Sequence, residues 1–203
     1  MTAISDFEHV YIASKLCKKY NETTDNQSSK RNKILKKLLK SVGENSFMRT
    51  PINFDIGQNT TIGDNFFSNH NLTVMDCGEV VIGDNVRIGP NCVLAVAEHP
   101  KDKILRRTEF EHADPIVIKD DVWIGANVTV LCGVTIGEGS IIGAGSVVTK
   151  DIPDNCIACG VPCKVTKKID VSEKNEKKWK KYDENCQKKW YFSSFLILWD
   201  VEW

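Results

Sequence analysis

Apolar residues recur in this chain at every sixth position, a spacing that suits neither a helix nor an ordinary strand. Ile118, Ile124, Val130, Ile136, Ile142 and Val148 keep the beat, and glycine follows at Gly125, Gly137 and Gly143. Weaker copies stand upstream at Ile56-Gly57, Ile62-Gly63, Ile82-Gly83, Ile88-Gly89 and Leu94. A helix buries residues three and four apart, and a half-buried strand alternates with period two. A hexapeptide repeat instead marks a solenoid, in which each hexamer forms one short flat edge and stacked edges bury a shared core. Two positions before the anchors sit further compact residues: Val80, Val86, Cys92, Ile116, Val122, Val128, Val134, Ser140 and Ser146. The anchors are expected to point into a narrow interior. The corners Gly63-Asp64-Asn65 and Gly83-Asp84-Asn85 suit turns that take positive φ. A β-sandwich with regular turns would show longer strands of period two. The pattern predicts a parallel β-helix of three hexamers per coil, over roughly residues 52–165.

The remaining composition narrows the function classes. The 27 basic and 27 acidic residues cancel, so the overall charge points to neither nucleic acid nor an anionic membrane. Residues 1–20 hold no continuous apolar stretch, and Asp6 and Glu8 fall early, so a cytoplasmic protein is expected. The longest apolar run, 195–199, is too short to span a bilayer. Among the eight cysteines, Cys156, Cys159 and Cys163 carry a zinc-like C-x2-C spacing but lack a fourth ligand nearby. Free cysteines acting as small hydrophobes explain them better, and no metal is expected.

Three segments follow along the chain: an N-terminal helical segment, 1–48; the β-helix, 49–169; and a C-terminal extension, 170–203. In the first, Ser28-Ser29 is expected to cap a helix through 30–42, with Ile34, Leu35, Leu38, Leu39 and Val42 on its buried side. In the second, residues 97–114 lack hexapeptide character and read as a polar loop ejected from the solenoid. A phase break lies at Val74 to Ile82, where eight residues separate the anchors. The third turns lysine- and glutamate-rich, then ends in an aromatic run at 190–199 that is expected to bury itself against the chain or another subunit.

Several of these stretches resemble a known family. The runs Asn69-His70-Asn71-Leu72-Thr73-Val74-Met75-Asp76, Glu98-His99-Pro100 and Val122-Trp123-Ile124-Gly125-Ala126-Asn127-Val128 are closely similar to those of the maltose and galactoside O-acetyltransferases. So are Gly143-Ala144-Gly145-Ser146-Val147-Val148-Thr149-Lys150-Asp151-Ile152-Pro153 and Gly160-Val161-Pro162-Cys163-Lys164-Val165. The match spans about residues 50–169. It implies a left-handed parallel β-helix, a homotrimer with active sites between subunits, and acetyl transfer from acetyl-CoA to a small-molecule acceptor, a sugar hydroxyl.

On that resemblance His99 is the catalytic base. A hydroxyl is a poor nucleophile near neutral pH, and histidine titrates in the range such a base needs. Glu111, in the same loop, is the residue that holds or charges the His99 ring. Asn69, Asp76 and Asp55 match acceptor-side positions, where amide and carboxylate groups suit paired hydroxyls. On the CoA side stand Trp123 beside the pantetheine arm, the Ala126 amide at the developing oxyanion, Ala144, Thr149 and Lys150. Lys164 and Lys167 lie near the nucleotide phosphates, where the family often has arginine; lysine keeps the charge and loses the bidentate fork.

The resemblance weakens at the N-terminus, where Ile12 stands in place of the family's acceptor-side arginine, so the acceptor floor differs from the family's. An antibiotic- or amino-sugar-directed acetyltransferase is the neighbouring reading. A zinc hydratase of the carbonic-anhydrase type would need His70, His99 and His112 to converge on a metal between subunits. A purely structural solenoid would leave the His99 constellation without a purpose.

Overall fold

The computed structural model describes residues 3–108 and 110–170. The expected C-terminal extension with its aromatic run lies outside the described residues from 171 onward. Residues 41–168 form the anticipated left-handed parallel β-helix, of triangular cross-section, with five complete coils and a partial sixth. The first face stacks Ser41–Val42, Thr60–Ile62, Val80–Ile82, Ile116–Ile118 and Thr135–Ile136 in parallel. The second runs from Phe47–Met48 to Cys156–Cys159 and closes with an antiparallel strand, Lys164–Lys168. The third runs from Ile52–Phe54 to Val147–Val148.

The beat maps onto this stack one anchor per face. Ile118, Ile124, Val130, Ile136, Ile142 and Val148 are all fully buried, and so are the compact residues two positions before them. Each aliphatic anchor removed from water contributes about 1.5–3 kcal/mol. The two buried serines fit because their hydroxyls bond inside the coil: Ser140 Oγ donates to Pro153 O and Ser146 Oγ to Gly143 O.

The corners divide labour differently from the sequence reading. Positive φ falls on asparagine or aspartate (Asn45, Asn65, Asn85, Asp121), whereas the preceding glycines are needed for clearance. A Cβ on Gly125 would stand 2.7 Å from Ala144 N and 2.9 Å from Ala144 Cα on the next coil. The aspartates then stitch coil to coil, Asp84 Oδ1 accepting from the Asp64 amide at 2.7 Å and Asp120 Oδ1 from the Asp84 amide at 2.8 Å.

The solenoid starts earlier than the expected boundary at residue 49. Ser41–Val42 pairs with the strand at Thr61–Ile62, and Phe47–Met48 with Phe67–Ser68, so the first coil begins at Ser41. Val42-Gly43-Glu44-Asn45 repeats as Ile62-Gly63-Asp64-Asn65 and Ile82-Gly83-Asp84-Asn85 at a spacing of twenty, because each of these coils carries two extra residues at its last corner. The break at Val74 to Ile82 is therefore one of a pair, the other lying between Phe54 and Ile62.

Two helices, α1 (Ala3–Asn21) and α2 (Ser28–Leu38), cover the open first coil. The cap of α2 is Gln27 rather than Ser28-Ser29, without a side-chain bond, and the helix stops at Leu38, leaving Val42 to the first face. Gln58 Nε2 donates to the carbonyls of Lys37, Leu38 and Leu39, satisfying the end of that helix. Arg31 is buried between the helices and the first coil. It pairs with Asp25 at 2.8 Å, donates to Thr23 Oγ1 at 2.7 Å, and lies over the Tyr20 and Phe47 rings. Asn21 bonds both backbone groups of Ile52, standing in for the strand that the edge lacks.

Candidate active site

The corner between the third and first faces collects the expected base and its neighbours. Residues 97–114 leave the stack there as anticipated, through a short antiparallel neck pairing Ala97–Glu98 with His112–Ala113. His99 and Glu111 extend from the two arms just beyond this neck, with His99 Nε2 3.7 Å from Glu111 Oε1. Both are exposed, at 63% and 42% of their side chains, so the ring can reach a substrate while a carboxylate faces its charged form.

Asp55 stands exposed at the same corner. Partial desolvation of its carboxyl by the neighbouring turn raises its pKa from the ordinary aspartate value, and the charges of Asp76 and Glu111 add to the effect. Asp76 differs from its expected role in having no exposed face. It is fully buried, Oδ1 accepting from the Ile56 amide at 2.9 Å and Oδ2 from Thr60 Oγ1 at 2.7 Å. Its carboxylate ties the Asp55-bearing turn to the next coil. Thr149 and Lys150 are exposed on the same edge, at its fifth coil.

A different edge carries the other half of the expected set. At the corner between the second and third faces Ala126 and Ala144 stack on successive coils and Asn69 lies two coils before Ala126, with Asn69 N bonded to Ile88 O and Gly125 N to Ile142 O. The amides flanking Ala126 are spent on neighbouring coils, Gly125 N on Ile142 O and Asn127 N on Pro90 O. The Ala126 and Ala144 amides make no bond within the chain among the described residues. Backbone donors left open in this way are of the kind that stabilise an oxyanion or hold an amide-rich ligand. Asn69 Oδ1 is taken by the His70 amide. Trp123 lies on the outer second face, 37% exposed and paired with Arg87, and Lys164 and Lys167 lie exposed on the closing strand.

Within one chain these two edges are separated by the whole third face, so His99 does not meet the Ala126 amide. The three histidines of the hydratase reading do not converge in one chain either: His70 Nδ1 lies 2.6 Å from Thr50 O on the far corner, while His99 and His112 each face their own acid. Sequence reasoning anticipated the N-terminal helical segment but missed how it is fixed to the first coil, through Asn21, Arg31 and Gln58. It also missed a second group at the neck, His112 with Asp114 and Cys132.

Comparison with known proteins agrees with this architecture. Residues 115–150 match the bacterial transferase hexapeptide family, 79–97 the hexapeptide repeat of succinyl-transferase, and 11–43 the maltose acetyltransferase hexapeptide capping motif. The last span covers the C-terminal half of α1, all of α2 and the first strand of the solenoid, Ser41–Val42. The chain is 44% identical over 156 residues to the galactoside O-acetyltransferase of Escherichia coli (strain K12), covering 77% of each. It is 41% identical to that of Lactococcus lactis subsp. lactis (strain IL1403), covering 83% of this chain and 79% of the relative. A solved galactoside acetyltransferase in complex with coenzyme A superposes with a TM-score of 0.79 at 38% identity, over 95% of this chain and 90% of that one. A hexapeptide-repeat acetyltransferase of Vibrio cholerae O1 biovar eltor complexed with acetyl-CoA gives 0.77 at 33% identity, over 80% and 88%.

Proposed function

The chain belongs to the galactoside and maltose O-acetyltransferase family of hexapeptide-repeat enzymes and uses acetyl-CoA as co-substrate, and from that membership we propose that it acetylates a hydroxyl of a saccharide-like acceptor with His99 as general base. The observation that carries the reading is the pairing of His99 with Glu111 across the neck of the ejected loop. In the reaction His99 takes the proton of the acceptor hydroxyl as its oxygen attacks the thioester carbonyl. The oxyanion forms against a backbone donor such as the Ala126 amide, the C–S bond breaks, and the imidazolium returns its proton to the CoA thiolate. Glu111 steadies the charged ring.

The separation of the two edges supports a trimer. Three prisms around a common axis bring one corner of each against another corner of its neighbour. His99, Glu111 and Asp55 of one subunit would then face Ala126, Ala144 and Asn69 of the next, with Trp123, Thr149, Lys150, Lys164 and Lys167 along the CoA path. The acidic corner around Asp55 suits an acceptor rich in hydroxyl donors.

The test is CoA release from acetyl-CoA across a panel of sugars, amino sugars and aminoglycoside antibiotics, comparing wild type with His99→Ala. The reading requires release driven by a sugar hydroxyl and reduced about 10²–10⁴-fold by the substitution. Acceptor-dependent release that survives His99→Ala sinks the mechanism, and release driven only by amines moves the acceptor to the amino-sugar class. Sedimentation equilibrium checks the trimer.

A further inference from the structure

A second group of chemistry-bearing side chains sits at the neck of the ejected loop, apart from His99 and Glu111. His112 and Asp114 are two residues apart, so the strand pleat sends both to one side, while Ala113 lies toward Gly78 on the other. Cys132 comes from the matching corner one coil on. Its position beneath Asp114 is fixed by the backbone, Gly133 N donating to Asp114 O at 3.2 Å and the Asp114 amide donating to Cys132 Sγ at 3.1 Å. One imidazole nitrogen, one carboxylate oxygen and one sulfur thus lie within 4.8 Å of one another, His112 Nε2 being 2.9 Å from Asp114 Oδ2.

We propose that His112, Asp114 and Cys132 form a binding site for a divalent transition metal of the zinc class. The donor set is the argument. Calcium and magnesium take oxygen ligands, whereas mixed nitrogen, sulfur and oxygen donors select zinc and its neighbours. A tetrahedral ion with the usual bond lengths separates such donors by about 3.3–3.6 Å, so the three atoms need to move by about 1 Å or less to close on it. The imidazole and carboxylate are free to do so, their side chains being 65% and 57% exposed, and a fourth position opens to water. Binding uses the neutral ring through Nε2 and the carboxylate as it stands. It releases one proton from the Cys132 thiol to solvent, with no change of oxidation state. The bound ion would bridge the loop's return arm, which carries Glu111, to the next coil of the solenoid, clamping the loop at its root. The proposal does not depend on the acetyl-transfer reading.

The test is titration of the full chain, reduced with a non-chelating phosphine, with Co(II) and then competition by Zn(II). The expected result is one cobalt per chain with near-ultraviolet thiolate-to-cobalt absorbance. Cys132→Ser abolishes that absorbance, His112→Ala and Asp114→Asn weaken affinity by at least about tenfold, and Cys159→Ser leaves both unchanged. Absence of a thiolate band at saturating cobalt overturns the proposal. So does a band that persists in Cys132→Ser, or one whose affinity ignores His112→Ala, a change at an exposed residue that leaves the fold intact by circular dichroism.

Discussion

Removing the side-chain amide of Asn21 should loosen the whole solenoid from its open end. Asn21 Nδ2 donates to Ile52 O at 3.0 Å, and the Ile52 amide donates back to Asn21 Oδ1 at 2.9 Å. Ile52 is fully buried on the edge strand of the third face, so Asn21→Ala leaves one donor and one acceptor of the main chain without partners. Each buried group so stranded costs about 1–3 kcal/mol. Asn21 itself is half-buried and water can reach part of the gap, which places the sum at roughly 2–4 kcal/mol. For a chain of this size that is a fall of roughly 4–16 °C in melting temperature. Asn21→Asp separates the bonds from mere packing. Its carboxylate still accepts from the Ile52 amide but sets a second oxygen against Ile52 O, so near neutral pH it should cost about as much as Asn21→Ala. When protonated it can donate to that carbonyl, so the folded state holds the proton more tightly than the unfolded. The variant's stability is therefore highest below the carboxylate range and lost as pH rises through it. Urea denaturation followed by circular dichroism at several pH values reads both effects, with exposed Asn26→Ala as the neutral control. A loss below about 0.5 kcal/mol for Asn21→Ala, or an Asn21→Asp curve parallel to wild type at every pH, would refute the reasoning.

Glu111→Gln should lower kcat about 2–5-fold, far less than His99→Ala, because a 3.7 Å pair of exposed groups is worth at most about 1 kcal/mol; steady-state kinetics of both variants and the double variant check the ratio. Tyr20 is fully buried with its hydroxyl on Met48 O, and burial pushes its phenol up to about 12 although Arg31 pulls the other way. The unfolded phenol ionises near 10, so this stability is complete below pH 10 and lost as pH rises toward 12, up to about 2.7 kcal/mol; alkaline denaturation of Tyr20→Phe should lack that slope. Gly125→Ala should destabilise by about 1–3 kcal/mol in thermal melts, since the added carbon meets backbone atoms of Ala144 that cannot step aside. Asp76→Ala should lower the melting temperature as well as the turnover, because its carboxylate holds Ile56 and Thr60; an effect on KM alone would contradict its buried position.

The regular coils were readable because burial in a narrow prism admits few residue types. The anchors from Ile118 to Val148 are periodic for the same reason that they are buried. The ejected loop was readable as the place where this constraint lapses. The first coil was hidden by its twenty-residue period, in which two extra corner residues shift the beat out of phase. The helical segment was legible, but its attachment was hidden because Asn21, Arg31 and Gln58 act through main-chain carbonyls and amides of distant residues, which no local pattern encodes. Asp76 illustrates the limit for the site itself. Its place in the motif was visible, but only the coordinates separate a carboxylate spent on Ile56 and Thr60 from one turned outward.

Ile82 pairs with Ile118 in register although thirty-five residues lie between them, and the frame on either side of the loop is the same as if the segment were not there. Such a corner behaves as a splice junction. What leaves the stack after Val96 and re-enters before Ile116 is anchored at its root, by a two-residue ladder and by the bonds of Asp114 to Cys132 and Gly133 on the next coil, while the Ala126 and Ala144 amides lie at a different corner, across the third face. The register of the coils is therefore independent of what the loop carries, and a segment of other length or chemistry can be exchanged between the same two ends.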